Sequence, residues 1–252
     1  MKRSFQPAMT AVMRNWTFWT GLLTLVVGMI SIPASMASAT ILVPGDLEVG
    51  DTYHLAFVTD GKTTAESTNI DDYNSFVQAQ AGLSGATTEN YGINWYAIAS
   101  TASAEARNNA VVSGPVFLLD ETKIADNYND MWNGNLDSAL ALTQFEVIRN
   151  LFVWSGTWED GTAFSYSYSR PGGHIGYVLG GSSGHTSVGD SAATDDNWIS
   201  YASIKGQSSS WHLYALSEAL TVPIPEPSTG LLSLVGLAGC ILARSRRRSA
   251  RG

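Results

Sequence analysis

The chain has 252 residues, with 22 acidic and 14 basic side chains and a formal net charge of −8. Residues 40–222 carry 21 acidic against 6 basic residues, which gives this part a net charge of −15. A surface this acidic repels nucleic acid and other polyanions, so we exclude them as partners and consider calcium and neutral sugars instead. Residues 40–222 are long enough for one domain with a full core, and the single cysteine, Cys240, lies outside them.

The first 39 residues are typical of a secretory signal peptide. Three basic residues precede an apolar run, Gly21–Ile30, and small residues follow it at 37–39. This order predicts cleavage by signal peptidase after Ala39, with Ala37 and Ala39 forming the recognition site. The alternative is an uncleaved anchor, but the run is shorter than the ~20 residues that span a bilayer. We therefore expect residues 40–222 to form an extracellular domain.

A strand and a helix are predicted at the start of this domain. Thr52–Thr59 alternates apolar and polar residues and ends at Asp-Gly, as strands do. Residues 67–82 have helical periodicity, with Thr68 or Asn69 as the N-cap and Gly82 at the end. The face expected to be buried consists of Ile70, Tyr73, Val77 and Ala81.

The rest of the domain reads as short strands separated by loops. Strands are predicted at 94–100, 115–120, 152–156, 175–181, 198–202 and 210–218. Brief helices are predicted at 104–108 and 126–134, and a polar loop at 182–197. The pattern predicts one α+β domain with a mixed or antiparallel sheet, two or three short helices and long loops.

The order of these segments carries a resemblance. The sequences VWSGTWEDGTAF (153–164), DNWIS (196–200) and SWHLYALSE (210–218) are similar to segments of the C-type-lectin-like fold, and most of all to its endostatin-like branch. The segment at 115–134 precedes them as it does in that branch. The resemblance implies that the first and last strands pair, with 53–58 beside 211–216. The chain lacks the disulfides of many such domains and the Glu-Pro-Asn or Gln-Pro-Asp signatures of their calcium-dependent sugar sites.

One motif points to a hydrolase. Residues 180–184, GGSSG, match the G-x-S-x-G nucleophile elbow centred on Ser182, with an acid in the next loop and His212 after it. The motif requires a strand before it and a helix after it, and residues 185–196 have no helical periodicity. A histidine–metal site is a further alternative, although the four histidines show no zinc-binding spacing. We expect a glycine–serine turn and no enzymatic activity, and therefore assign no catalytic residues.

Two segments could bind a ligand without catalysis. The acidic loop offers oxygen ligands suited to calcium, the only cofactor that we consider: Asp190, Asp195, Asp196 and Asn197. Among the tryptophans of the second half, Trp158 is expected nearest to solvent because Glu159, Asp160 and Gly161 follow it directly. An exposed aromatic face of this kind stacks on sugar rings, so Trp158, Glu159 and Asp160 are candidate ligand-binding residues.

The C-terminal segment, 223–252, has three parts. Pro225-Glu226-Pro227 precedes 13 uncharged residues, Leu231–Ala243, and an arginine cluster follows: Arg244, Arg246, Arg247 and Arg248, then Arg251. The apolar run covers roughly 20 Å of a ~30 Å hydrocarbon core, so it predicts a short transmembrane helix that makes a poor permanent anchor. The arginines are expected to stay on the cytoplasmic side.

This tripartite order resembles the PEP-CTERM sorting signal of exported bacterial proteins, mostly from exopolysaccharide-secreting Gram-negative species. The resemblance implies recognition by an exosortase, a membrane cysteine transpeptidase that removes the tail, and only transient attachment to the inner membrane. The alternative is an ordinary tail anchor. We therefore expect an exported protein that is held at the cell surface or in the exopolysaccharide matrix of a biofilm and binds glycan or matrix components.

Overall fold

The computed structural model describes residues 40–164 and 176–224, which belong to one compact unit, Ser38–Gly252. The predicted signal peptide with Ala37 and Ala39 lies outside the described residues. In chain order the elements are β1 (Thr52–Val58), α1 (Ile70–Ala81), β2 (Trp95–Ala97), α2 (Ala106–Asn109), β3 (Val116–Leu118), β4 (Lys123–Ala125), α3 (Tyr128–Met131), β5 (Phe152–Trp154), β6 (His185–Asp190), α4 (Asn197–Ser200), β7 (Ala202–Lys205), β8 (Tyr214–Ser217) and β9 (Leu220–Thr221). The predicted α+β class is confirmed.

The larger sheet is built around β1. Its strand order is β2-β8-β1-β3-β4, and β9 also pairs with β1. The β1–β3 pair is parallel and the other pairs are antiparallel, so the sheet is mixed. The predicted pairing of the first strand with the last long strand is observed, with Ala56 opposite Leu216 and Val58 opposite Tyr214. Six of the seven β1 residues are buried, which explains its central position.

Helix α1 forms where its periodicity places it. The Asn69 side chain accepts a hydrogen bond from the backbone N–H of Asp71, so Asn69 is the N-cap and Thr68 is not. The helix buries Tyr73, Val77 and Ala81 and ends before Gly82, whose φ of −89° is an ordinary value that does not require glycine. The helix packs on β2 through Asn74 and Gln78, whose side-chain oxygens accept from the backbone N–H groups of Ala97 and Trp95.

The smaller sheet has the order β5-β6-β7, with all pairs antiparallel. It joins the first sheet where Val153 and His212 form a parallel bridge and the Trp154 N–H donates to the His212 carbonyl at 3.0 Å. Helix α4 packs against β6 through Trp198 and Ile199, which are fully buried. Gly189 of β6 lies so close to the Trp198 carbonyl that no side chain fits between them.

Three predictions for the second half are wrong. The segment predicted as a polar loop contains β6, because Ser187 and its neighbours bond on both sides to β5 and β7. The segment 198–202 is mainly the one-turn helix α4, begun by a bond from the Trp198 N–H to the Asp195 carbonyl. The described part of 175–181 makes only a bridge at Leu179. The described residues also contain four helices, whereas the sequence predicts two or three.

Candidate functional site

A tight hairpin carries the predicted ligand-binding residues. Thr157 and Ala163 pair across it, and the Gly161 N–H donates to the Trp158 carbonyl at 2.9 Å. The Asp160 carboxylate accepts from the Thr162 N–H at 2.9 Å and from its hydroxyl at 2.6 Å, so this exposed acid closes the turn. Gly161 has a φ of +78°, and an added Cβ would meet the Trp132 ring and Arg107, so the turn requires glycine.

Trp158 is half-buried, as is Trp211, while Trp132, Trp154 and Trp198 belong to the core. The Trp158 ring packs on Phe164 with a centroid distance of 4.0 Å. Trp158 therefore presents only part of its face to solvent and fixes the position of Phe164.

Phe164 lines a cleft of about 900 Å³. The cleft brings together residues that are far apart in the chain, and sequence reasoning did not select Glu105, Phe164 or Tyr177 because no local motif connects them. Its lining includes three rings: Phe164 and the Tyr177–His185 pair, whose centroids are 5.2 Å apart. Ser182 and Ser183 supply hydroxyl groups to the same cleft.

Glu105 contributes a fixed carboxylate to the cleft. Its Oε2 accepts from Arg107 Nε at 3.0 Å and from Asn108 Nδ2 at 3.1 Å. Both donors lie on α2, whose first residue follows Glu105 directly. The cleft therefore combines aromatic faces, hydroxyl groups and an oriented hydrogen-bond acceptor, which are the groups that bind a polyhydroxylated neutral molecule.

The structure gives Ser182 a different context from that of a nucleophile elbow. The turn at Gly180–Gly184 leads into strand β6, and no helix begins before α4 in residues 185–196. His212, the histidine in the predicted order, has its Nδ1 2.7 Å from the Thr59 carbonyl oxygen. Ser182 makes no hydrogen bond to a histidine within the described parts of the chain.

Two of the histidines are buried structural residues. His54 Nε2 accepts from the Ser113 N–H at 3.0 Å, so Nδ1 carries the proton and donates to the Ser217 carbonyl at 2.9 Å. Burial lowers the pKa of His54 below 6.5, although hydrogen bonds to backbone carbonyls oppose this. Burial likewise lowers the pKa of His212, where the Thr59 carbonyl opposes the shift. His174 lies outside the described residues, and His185 belongs to the cleft.

The predicted calcium residues support local turns. Asp190 Oδ1 accepts from the Ala192 N–H at 3.0 Å, and Asp195 Oδ1 accepts from the Asn197 N–H at 3.2 Å and its Nδ2 at 2.9 Å. Asp196 precedes α4 in the N-cap position. Calcium binding by Asp190, Asp195, Asp196 and Asn197 stays a prediction.

A different acidic group has closely spaced oxygens. Among the described residues, Asp126, Asp130 and Asp137 offer carboxylate oxygens that all lie within 4.8 Å of one another. Asp130 also accepts from the Asp126 N–H at 2.8 Å, and Lys123 forms an ion pair with Asp126. These contacts already partly satisfy the group without a cation.

The described chain reaches the start of the C-terminal segment. Val222 is still hydrogen-bonded to the domain, and Pro223 and Ile224 are exposed. The residues proposed to act in sorting lie outside the described residues: Pro225, Glu226, Pro227, Arg244, Arg246, Arg247 and Arg248. Within 40–164 and 176–224, no helix combines the length and apolar character that crossing a membrane requires.

Comparison with curated proteins finds no match to this chain. Comparison with protein families matches residues 223–248 to the PEP-CTERM protein-sorting motif. The match covers the Pro-Glu-Pro sequence, the apolar run and the first four arginines of the tail. Residues 223–248 are therefore a PEP-CTERM sorting motif, which implies an exported protein that is attached to the membrane and then processed by an exosortase.

Proposed function

We propose that this chain is a non-enzymatic protein that remains at the cell surface or in the exopolysaccharide matrix after the tail is removed. The sorting motif at 223–248 supports this proposal, and so does the signal-peptide pattern of residues 1–39. The two signals flank a single domain, so the domain itself supplies the function outside the cell.

The function of the domain is the binding of a neutral glycan in the cleft beside the hairpin. The observation that carries this is the lining, which combines the rings of Phe164, Tyr177 and His185 with the serines Ser182 and Ser183. A sugar ring has apolar faces that stack on aromatic side chains and hydroxyl groups that form hydrogen bonds with serine side chains. The net charge of −15 on residues 40–222 favours a neutral ligand over a polyanionic one.

A C-type-lectin-like fold is consistent with this role. This part of the proposal rests on the sequence resemblance of 153–164, 196–200 and 210–218, and the pairing of β1 with β8 agrees with it. The proposed cleft does not depend on the calcium-site signatures of lectins, which the sequence lacks.

Glycan binding is tested on the secreted protein without its tail. A glycan array, run with calcium and with chelator, identifies a neutral ligand, and calorimetry then measures its affinity for variants. Tyr177→Ala and His185→Ala should each weaken binding about fivefold to tenfold, because each removes a stacking surface. Tyr201→Ala is the control, since Tyr201 is an exposed aromatic residue that stacks on Phe152 and not in the cleft.

Equal losses in the Tyr201→Ala variant, or unchanged affinity in both cleft variants, would overturn the assignment to this cleft. Melting curves of all three variants are needed to show that the domain is folded.

A secreted hydrolase is the second candidate, because Ser182 and His185 line the same cleft. We propose that no such reaction occurs, since the turn at Ser182 leads into a strand. Labelling with an activity-based serine probe distinguishes the two. Stoichiometric labelling that disappears in Ser182→Ala would replace the binding function with an enzymatic one.

A further inference from the structure

The last strand pairing in the described part of the domain ends at Val222, the residue directly before the sorting motif. Strand β9 pairs with β1, with Thr221 opposite Thr52 and Leu220 opposite Tyr53. Two backbone bonds continue the pairing to Val222: its N–H donates to the Asp51 carbonyl at 2.9 Å, and its carbonyl accepts from the Gly50 N–H at 3.1 Å. Leu220 and Val222 are each only 7% exposed and belong to the core, while Thr221 faces solvent.

Little chain separates this pairing from the Pro-Glu-Pro sequence. Four peptide units connect Val222 to Glu226, and even fully extended they span at most about 14 Å. An enzyme that takes Glu226 into a cleft therefore meets the folded domain within that distance.

The prolines in residues 223–227 further limit how an enzyme can bind the peptide between the domain and the tail. An enzyme that binds an extended peptide uses the backbone N–H and C=O groups along it. Pro223, Pro225 and Pro227 have no N–H, so between 223 and 227 only Ile224 and Glu226 can donate one. The next N–H towards the N-terminus belongs to Val222, and the Asp51 carbonyl already accepts it.

We propose that Leu220–Val222 are part of the peptide that the sorting enzyme binds, and that they must separate from β1 before the tail is cut. This inference rests on the exosortase processing proposed above and adds a specific step to it. The pairing of β9 with β1 holds the chain in an uncleavable state, and local opening of this short segment sets the rate of processing. Short terminal segments open far more often than the whole domain unfolds, so the step is feasible in a folded protein.

A reversible disulfide between β9 and β1 tests the opening step directly. Thr52 and Thr221 are directly opposite in an antiparallel pair, where Cα atoms lie about 4.5–5.5 Å apart, and a disulfide requires about 4.4–6.8 Å. The full-length chain carrying Thr52→Cys and Thr221→Cys, with Cys240→Ser to remove the native thiol, is expressed in an exosortase-containing bacterium. Intact-mass analysis measures how fast the tail is lost.

The oxidised double variant should lose its tail at least tenfold more slowly than the same variant after reduction. Each single-cysteine variant should be processed at the rate of the Cys240→Ser chain, whether oxidised or reduced. Equal rates for the locked and the reduced double variant would overturn the proposal. If the wild-type chain also keeps its tail, the proposed processing itself fails, and the step proposed here fails with it.

A second pair of variants separates local opening from global unfolding. Val222→Ala removes two buried methyl groups from the paired segment and should accelerate tail removal about tenfold. Val77→Ala truncates a fully buried valine in α1, away from β9, and should leave the rate unchanged. Equal acceleration by both variants, or none with Val222→Ala, contradicts the proposal. A ten-residue Gly-Ser spacer inserted after Val222 should abolish the difference between Val222→Ala and the wild type.

Discussion

Two buried histidines link the stability of the fold to pH. His54 and His212 both donate from Nδ1 to a backbone carbonyl, and burial lowers the pKa of both side chains below 6.5. Well above pH 6.5, from about pH 8, both residues are neutral in the folded and the unfolded chain. As pH falls below 6.5, the unfolded chain takes up protons that the folded chain excludes, so the unfolded chain gains stability relative to the fold.

The free energy of unfolding should therefore decrease as pH is lowered from 6.5 to 5.5. The slope is at most about 1.4 kcal/mol per pH unit for each histidine. Urea titrations across this range measure it. His212→Asn should keep a donor to the Thr59 carbonyl and remove the contribution of His212, so the slope should be smaller than that of the wild type. A slope that is unchanged in this variant would show that His212 does not contribute.

The close packing of α4 on β6 requires a glycine at position 189. An added Cβ at Gly189 would overlap the Trp198 carbonyl, which is backbone and cannot rotate away. We expect Gly189→Ala to destabilise the domain by about 3 kcal/mol or more, or to prevent folding. Gly82→Ala is the control, because a Cβ there lies 3.6 Å from its nearest neighbour and φ is compatible with alanine. Equal stabilities of the two variants in urea would show that α4 does not pack closely on β6.

Helix α1 depends on its N-cap residue, and the sequence predicts either Thr68 or Asn69 at this position. The Asn69 side chain accepts the Asp71 N–H at 3.1 Å, and Thr68 is the other residue with suitable chemistry. Asn69→Ala should reduce the free energy of unfolding by about 1 kcal/mol, since an otherwise unbonded N–H loses its acceptor. Thr68→Ala should change it by less than about 0.5 kcal/mol. Denaturant titration measures both, and the reverse order would assign the cap to Thr68.

The same comparison of elements shows what sequence patterns can and cannot predict. Strand β1 and helix α1 are recognisable because each buries apolar residues at its own period. Strand β6 is not recognisable, because it is a central strand that buries Thr186, Ser187 and Gly189, and their polarity suggests a loop. Its place is fixed by tertiary bonds, such as the Tyr177 N–H to the Ser187 hydroxyl at 2.9 Å. The cleft was not predicted for a related reason: Glu105, Phe164 and Tyr177 converge only through the fold.

For the whole molecule, the dominant physical feature is its charge. In residues 40–222 six basic residues cannot neutralise 21 acidic ones, so the folded domain has a net repulsion that the expanded unfolded chain relieves. Raising NaCl from 10 to 200 mM shortens the screening length from about 30 Å to under 10 Å. We expect the melting temperature to rise by a few degrees over this range. A melting temperature that falls with salt would mean that attractive pairs outweigh the repulsion.

The acidic cluster of Asp126, Asp130 and Asp137 gives this repulsion a local test. Asp126 pairs with Lys123, and Asp130 accepts from the Asp126 N–H, so Asp137 is the member whose charge can be removed at least cost to these contacts. At low salt Asp137→Asn should stabilise the domain by roughly 0.2–0.5 kcal/mol, the size of a like-charge repulsion at a surface.

The gain in stability from Asp137→Asn should shrink at 200 mM NaCl, because screening weakens repulsion between exposed carboxylates.

Calcium binding by the same three carboxylates would have a different effect on stability. If the three carboxylates hold the ion, calcium will raise the melting temperature of the wild type more than magnesium at the same ionic strength, and Asp137→Asn will abolish the difference. Lys123 already forms an ion pair with Asp126 of this cluster. We therefore expect calcium and magnesium to change the melting temperature equally. A calcium-specific rise in melting temperature that Asp137→Asn abolishes would refute this.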